Sequence, residues 1–258
     1  MLTNEQKTFL DDAGYLVLEN AIEPVLLDEL LARVDELYET EGDSAGKEFR
    51  HEEGARRLAN CVDKGEVFER AILHPAVLSG CEAVMGSRFK LSSLNVRSAN
   101  PHNGISQPLH ADVGAIADEQ GYWVCNAVWM LDDITSENGA IRMVPGSHRW
   151  KQLPQKAMAD PAAPHPEEVM LTGKAGTIVI MNAHMWHGGT ANRTDRQRRA
   201  MHAFYTRWDK PQQQYQNKLL SRATKARLSP EARRLLALDD PLNDELCSRE
   251  TSMSGFLK

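Results

Sequence analysis

Hydrophobic positions along the chain alternate between helical and strand periods. Near the N-terminus Thr3 stands three residues before Gln6 and ahead of Phe9 and Leu10, the pattern of a capped helix start. The segment 14–20 (GYLVLEN) then reads as a short strand. Val25, Leu26, Leu30, Leu31, Val34 and Leu37 recur at helical spacing with acids between them, which predicts an amphipathic helix of about 15 residues. Residues 40–60 are charged and contain glycine, and read as a loop. A second helical stretch spans 66–85 and breaks at Pro75. From residue 89 the texture becomes β-rich. FKLSSLNVRS, WVCNAVWMLDD, AIRMVPG, EEVMLTG, GTIVIMN and AMHAFYTRW are short runs separated by Gly, Pro, Asn or Asp. Such spacing predicts a sandwich or barrel. Helical character returns in 228–238, with Ser229 as N-cap and Pro230 at the first position. The chain therefore reads as one mainly β domain with flanking helices. Residues 1–88 are a helical support, 89–208 the β core, and 209–258 a tail with a helix.

Composition narrows the class. Of 258 residues 41% are hydrophobic and 26% charged, ordinary for a globular protein and wrong for a disordered one. The net charge of -6 argues against a nucleic-acid binder, whose surface is usually basic. Apolar runs such as 177–181 (TIVIM) are far shorter than the roughly 20 residues of a membrane span. The polar start MLTNEQKTFLDD has no signal-peptide core. Cys61, Cys81, Cys125 and Cys247 lie far apart, which fits neither a disulfide framework nor a zinc knuckle. Core positions are expected for them, in a soluble, reduced, cytoplasmic protein.

Chemistry concentrates in two segments. In QPLHADVG, His110 and Asp112 are two residues apart, and on extended backbone such residues share a face. One imidazole and one carboxylate can then reach one ion, although this pair alone is common. The segment 181–207 follows an apolar strand and carries His184 and His187. Two histidines and one carboxylate form the facial triad of non-haem Fe(II) oxygenases, which leaves positions open for cosubstrate and O2. A structural zinc site would be closed by four ligands. Arg193, Arg196, Arg198 and Arg199 follow. Each is either a solvated surface charge or a fork for a carboxylate held by two parallel hydrogen bonds.

Several stretches together resemble the phytanoyl-CoA dioxygenase family of Fe(II)/2-oxoglutarate-dependent oxygenases. They are LTNEQKTFLDDAGYLVLENAI, QPLHAD, WMLDDITSENGAIRMVPGSHRW and WHGGTANRTDRQRRAMHAFY, with the closing SGFLK a looser match. The resemblance covers residues 3–208. It implies a double-stranded β-helix, the jelly-roll or cupin type of barrel, with Fe(II), 2-oxoglutarate and O2 at its mouth. It implies His110, Asp112 and His187 as iron ligands. His187 is preferred to His184 because the Gly-Gly pair follows it. It implies that Arg198 pairs with the distal carboxylate of 2-oxoglutarate, with Asn95, Thr190 and Asn126 near the cosubstrate. Succinate and CO2 would be coproducts. Related halogenases carry a small residue in place of the carboxylate, so Asp112 favours hydroxylation.

The remaining expectations concern the surroundings. Trp123, Trp129, His202, Phe204 and Arg97 are candidates for the substrate pocket, with core packing the default for the two barrel aromatics Trp129 and Phe204. His148 lies in PGSHRW and is expected to serve the turn, as are Asp132, Asp133, Glu137 and Asn138. Loops 40–60, 99–107 and 113–124 should shape the entrance. Their Glu48, Arg50, His51, His102, Asn103, Asp118, Glu119 and Trp123 suit a small polar substrate better than a long acyl chain. Two rivals remain: a non-oxidative metalloenzyme of cupin type, which needs no distal arginine, and a non-catalytic ligand-binding barrel.

Overall fold

A computed structural model describes residues 1–49 and 52–249. Arg50, His51 and the closing SGFLK lie outside the described residues. The chain opens with helix α1 (Asn4–Ala13), strand β1 (Tyr15–Leu18) and helix α2 (Pro24–Glu41). Thr3 caps α1 as the sequence predicts: its hydroxyl accepts from the Gln6 amide, and the Gln6 side chain accepts from the Thr3 amide. Strand β2 (Ala55–Leu58) and helices α3 (Glu66–Ile72) and α4 (Pro75–Met85) follow, the two helices separated at Pro75. Then come β3 (Phe89–Ala99), β4 (Val124–Met130), β5 (Ile141–Met143), β6 (Val169–Leu171), β7 (Ile178–Asn182), β8 (His187–Gly189) and β9 (Arg198–Arg207).

Two antiparallel sheets build the double-stranded β-helix. The larger runs β1-β7-β4-β9-β3-β2, and the smaller β6-β5-β8. Both outer strands of the larger sheet come from the N-terminal segment, which the sequence pattern presents as helical support. Strand β2 lies inside what reads as a charged loop. Its sequence ARRL lacks apolar alternation because arginines occupy both faces: Arg56 packs over the Tyr38 ring, and Arg57 bonds to Glu52.

Period-two alternation divides each long strand between two environments. Cys125, Ala127 and Trp129 of β4, and Met201, Ala203 and Tyr205 of β9, join the core beneath the helices. Between the sheets, Val128, Met130, Ile141, Met143, Val179 and Met181 pack together. A bulge between Leu91 and Ser93 shifts the facing of β3 by one residue. Leu91, Leu94 and Val96 thereby all reach the helix side, while Ser93, Asn95 and Arg97 point into the barrel. Helix α4 lies close on the sheet at Gly80, where a Cβ would stand 2.6 Å from Ile180. All four cysteines are buried, and none forms a disulfide. Among the described residues no helix is long and apolar enough to cross a membrane.

Candidate metal centre

His110 sits where the chain after β3 returns to the barrel mouth. It exchanges two backbone hydrogen bonds of 2.9 Å with His187 at the start of β8. Asp112 follows in a single turn anchored by its amide to the Ala183 carbonyl. Three donor atoms converge: Oδ1 of Asp112 is 3.6 Å from Nε2 of His187 and 4.0 Å from Nε2 of His110. All three lie within 4.8 Å of one another. Nδ1 of His110 is 2.9 Å from the Pro108 carbonyl, and Nδ1 of His187 is 2.9 Å from the Met185 carbonyl. A carbonyl can only accept, so each Nδ1 carries a proton and Nε2 is the lone-pair nitrogen of each ring. Asn126 donates from Nδ2 to Oδ2 of Asp112 at 3.1 Å and leaves Oδ1 to face the two imidazoles.

The electrostatics agree with this pairing. Burial raises the Asp112 carboxyl, but His187, His110 and the Asn126 hydrogen bond outweigh it and hold the group well below the usual carboxylate range. Burial lowers the His187 imidazole, and Asp112 outweighs that too, so its pKa is raised. His184 stands apart. Its Nδ1 is 2.9 Å from Oδ1 of Asn182, its Nε2 accepts from the Trp123 amide, and its ring packs against Tyr122 and Trp123. Burial pushes it down to about 3. With both nitrogens committed, it is the rival that the fold removes from the site.

The triad opens into a cavity of about 320 Å³ that also takes in Asn95, Arg97, Asn126, Arg198, His202 and Phe204. Arg198, at the start of β9, is only 2% exposed. Its Nη2 donates to the Gly139 carbonyl at 2.8 Å, its Nε has no partner, and no carboxylate pairs with it among the described residues. Burial, reinforced by Arg97, pushes it down to about 10, so it remains charged at neutral pH. Gly139 admits this approach: its φ is +98°, and a Cβ there would stand 3.2 Å from Nη2. The neighbouring arginines are otherwise employed. Arg199 is bound to Asp132 and Asp35, while Arg193 and Arg196 are exposed.

Three candidate positions lie outside the cavity lining, and for Trp129 this is the expected default of core packing. Trp129 alternates to the helix side of β4, fully buried, with His74 edge-on at 5.4 Å. Trp123 donates from its indole to the Ile116 carbonyl. Thr190 spends its hydroxyl on the Ala140 carbonyl at 2.9 Å. His148 reaches the Asp11 carbonyl at 3.0 Å and ties the PGSH turn to the end of α1. Asn138 braces the turn after β4 through the Asp133 carbonyl and the Thr135 amide. Gln213, which lines the cavity, and Gln214, buried behind it, had no signal in the sequence. Gln213 accepts from Ser93, and Gln214 donates to Oδ1 of Asn95 at 2.6 Å, which turns the Asn95 amide nitrogen toward the cavity. The Gln212–Gln216 run is polar enough to pass for an exposed tail, yet Gln214 is fully buried.

Residues 10–200 match the family described as Phytanoyl-CoA dioxygenase (PhyH). The chain belongs to this family. One relative, dioxygenase af480 of Aspergillus fumigatus, is 29% identical over 174 residues, 65% of this chain and 53% of the relative. The chain thus spans about half the length of that protein. L-proline trans-4-hydroxylase of Streptomyces griseoviridis is 28% identical over 181 residues, 58% of this chain and 67% of the relative. Among solved structures, EctD from S. alaskensis superposes with a TM-score of 0.68 at 19% identity, covering 80% of this chain and 77% of that one. HygX from Streptomyces hygroscopicus, with nickel and 2-oxoglutarate bound, gives 0.63 at 16% identity, with 80% and 88% covered. At such identities the likeness is one of fold.

Proposed function

We propose that the protein is an Fe(II)/2-oxoglutarate-dependent dioxygenase that hydroxylates an unactivated C–H bond of a small polar molecule. One observation carries this reading: three convergent N and O donors share a cavity with a buried arginine that has no carboxylate partner among the described residues. The donor set suits Fe(II), and the unpartnered Nε of Arg198 suits the far carboxylate of 2-oxoglutarate. His110, Asp112 and His187 would hold the metal. Fe(II) with 2-oxoglutarate supplies an oxidant for strong C–H bonds and yields succinate and CO2 as coproducts.

The chain's part is placement and shielding. The carbonyls of Pro108 and Met185 fix both imidazole tautomers, and Asn126 fixes the carboxylate. Arg198, anchored by the Gly139 carbonyl, offers a preset fork. The Asn95 amide, aimed by Gln214, adds a donor on the same side. Val128, Ile141, Met181 and Phe204 form an apolar wall that limits water. Relatives named for L-proline and for 2-aminoethylphosphonate support a small polar substrate. With Asp112 present, hydroxylation is favoured over halogenation, and a chloride-dependent product from the native protein would overturn that part. The test is succinate formation under air with Fe(II) and 2-oxoglutarate. Wild type should release succinate, and Asp112→Ala should lose most of it. Equal release from both proteins contradicts the triad.

A further inference from the structure

One carboxamide in the cavity wall has no part in the chemistry proposed above. Gln107 stands three residues before His110, at the end of the entrance segment 99–107, and lines the cavity. It is braced against Gly189, two residues beyond His187. The Gln107 amide donates to the Gly189 carbonyl at 2.7 Å, and the Gly189 amide donates back to Oε1 of Gln107 at 2.9 Å. The Gln107 carbonyl accepts from Nη2 of Arg142 at 3.1 Å. Both segments that carry the triad's imidazoles therefore hold this side chain in place. Gly189 admits it, since a Cβ there would stand 3.1 Å from Oε1.

The brace fixes which end of the side-chain amide remains. A backbone N–H can only donate, so the atom facing Gly189 is the oxygen, and Nε2 is the other end. Nε2 has no partner among the described residues, and Gln107 is half-buried. Asn95 is set by the same device. The Leu94 amide donates to Oε1 of Gln214, which turns the Gln214 nitrogen onto Oδ1 of Asn95 and the Asn95 nitrogen toward the cavity. Arg97, whose side chain can only donate, lies beside Gly189, with Nη1 3.8 Å from where a Cβ would stand. This part of the wall thus presents N–H groups. A donor left without a partner in a part-buried wall costs free energy that an oxygen acceptor recovers, whereas an ammonium group, itself only a donor, cannot pair with it.

We propose that Nε2 of Gln107 binds a carbonyl-type oxygen of the substrate, and that this residue sets the substrate class. The enzyme then takes small molecules bearing an amide, ester, ketone or carboxylate oxygen, with no ammonium group directed at this wall. The inference rests on the dioxygenase reading of the same site. The brace ties the substrate's oxygen to the two segments that carry His110 and His187, so the bound molecule and the metal site share one rigid frame.

The test uses the full chain loaded with redox-inert Zn(II) and saturating 2-oxoglutarate, with its glutamine side-chain amides isotope-labelled for NMR. Loss of one signal in Gln107→Glu identifies the Gln107 amide. This variant keeps an oxygen for the Gly189 amide and replaces the free donor by an acceptor, so the brace survives while the recognition inverts. Three probes of similar size are compared: N,N-dimethylacetamide, isobutyrate and isobutylammonium. In wild type at least one of the two acceptors should shift the Gln107 signal and bind roughly two- to tenfold more tightly than the ammonium, the scale of one hydrogen bond. Which acceptor binds distinguishes a neutral carbonyl from a carboxylate. In Gln107→Glu the order should reverse. A Gln107 signal that neither acceptor moves, or an order of affinities unchanged in Gln107→Glu, overturns the proposal. Should Gln107→Glu not fold, Gln107→Met supplies the assignment and must lose the acceptor preference. Loss of 2-oxoglutarate affinity in the variant with probe affinities intact moves Gln107 to the cosubstrate subsite and also overturns it. Failure of wild type to take up Zn(II) and 2-oxoglutarate at all overturns the dioxygenase reading, and the proposal with it.

Discussion

Replacing Arg198 by lysine tests the cosubstrate subsite without removing its charge. In the native protein Nη2 is committed to Gly139 at 2.8 Å, and Nε is unpartnered. Among the described residues, Nε–H and the second N–H of Nη2 thus remain to serve one carboxylate. Lysine brings a single point charge on a flexible stem, so one charge-assisted hydrogen bond is lost. Such a bond is worth roughly 1.5–3 kcal/mol. At about 1.4 kcal/mol per tenfold, Arg198→Lys should weaken 2-oxoglutarate binding roughly ten- to a hundredfold. Calorimetric titration of 2-oxoglutarate into the anaerobic Fe(II)-loaded protein measures this directly. Metal affinity should not move, because Arg198 is not among the three convergent donors. A change in 2-oxoglutarate affinity below about twofold in a folded variant would refute the assignment. It would not pass to Arg199, which is bound to Asp132, nor to exposed Arg193 or Arg196.

Asn126→Ala releases Oδ2 of Asp112 and should weaken metal binding roughly 10- to 100-fold, read by competition with a chelating dye. Unchanged metal affinity would show that the amide does not orient the carboxylate. Trp129→Ala should cost about 3–5 kcal/mol of stability in urea unfolding while leaving 2-oxoglutarate affinity intact, because the indole fills the helix-side core. A large loss of cosubstrate affinity at unchanged stability would return this residue to the pocket. His184 is held neutral, with a folded-state pKa of about 3 against an ordinary value of 6.5. Below about pH 6.5 the unfolded chain therefore binds the extra proton first, and stability falls as the pH drops toward about 3. The contribution is on the order of a few kcal/mol at most. His184→Gln should flatten the urea midpoint against pH over that window, and an unchanged slope would refute the assignment.

What the sequence revealed, and what it hid, follows from the range of the interactions. The capping box at Thr3 and Gln6, the break at Pro75 and the Ser229 cap are local, and their signals lie within a few residues. The His110–Asp112 pair is equally local, and its meeting with His187 was suggested by the resemblance of the surrounding motifs. The preference for His187 over His184 came from the Gly-Gly pair of the resembling motif, while the contacts that hold His184 aside, to Asn182 and the Trp123 amide, are not contained in any spacing rule. Strand β2 was hidden because its side chains answer to partners far along the chain rather than to a periodic apolar face. Arg57 is set by Arg97 and Glu52, so a charged segment reads as loop while it closes the sheet edge. Trp129 was ambiguous for the opposite reason. An aromatic in a strand buried on both faces can point either way, and only the register of β4 decides. The Asn95 side chain is aimed by Gln214, 119 residues away, which a linear reading treats as tail.

The central claim is that this triad holds Fe(II) with 2-oxoglutarate beside it. Anaerobic titration of the metal-free protein with Fe(II), and then with 2-oxoglutarate, tests it most directly through the metal-to-ligand charge-transfer absorption of the chelate. The account predicts a band that saturates near one equivalent and is lost in Asp112→Ala. Fe(II) binding with no such band would contradict it and leave a cupin-type metal site without oxygenase chemistry.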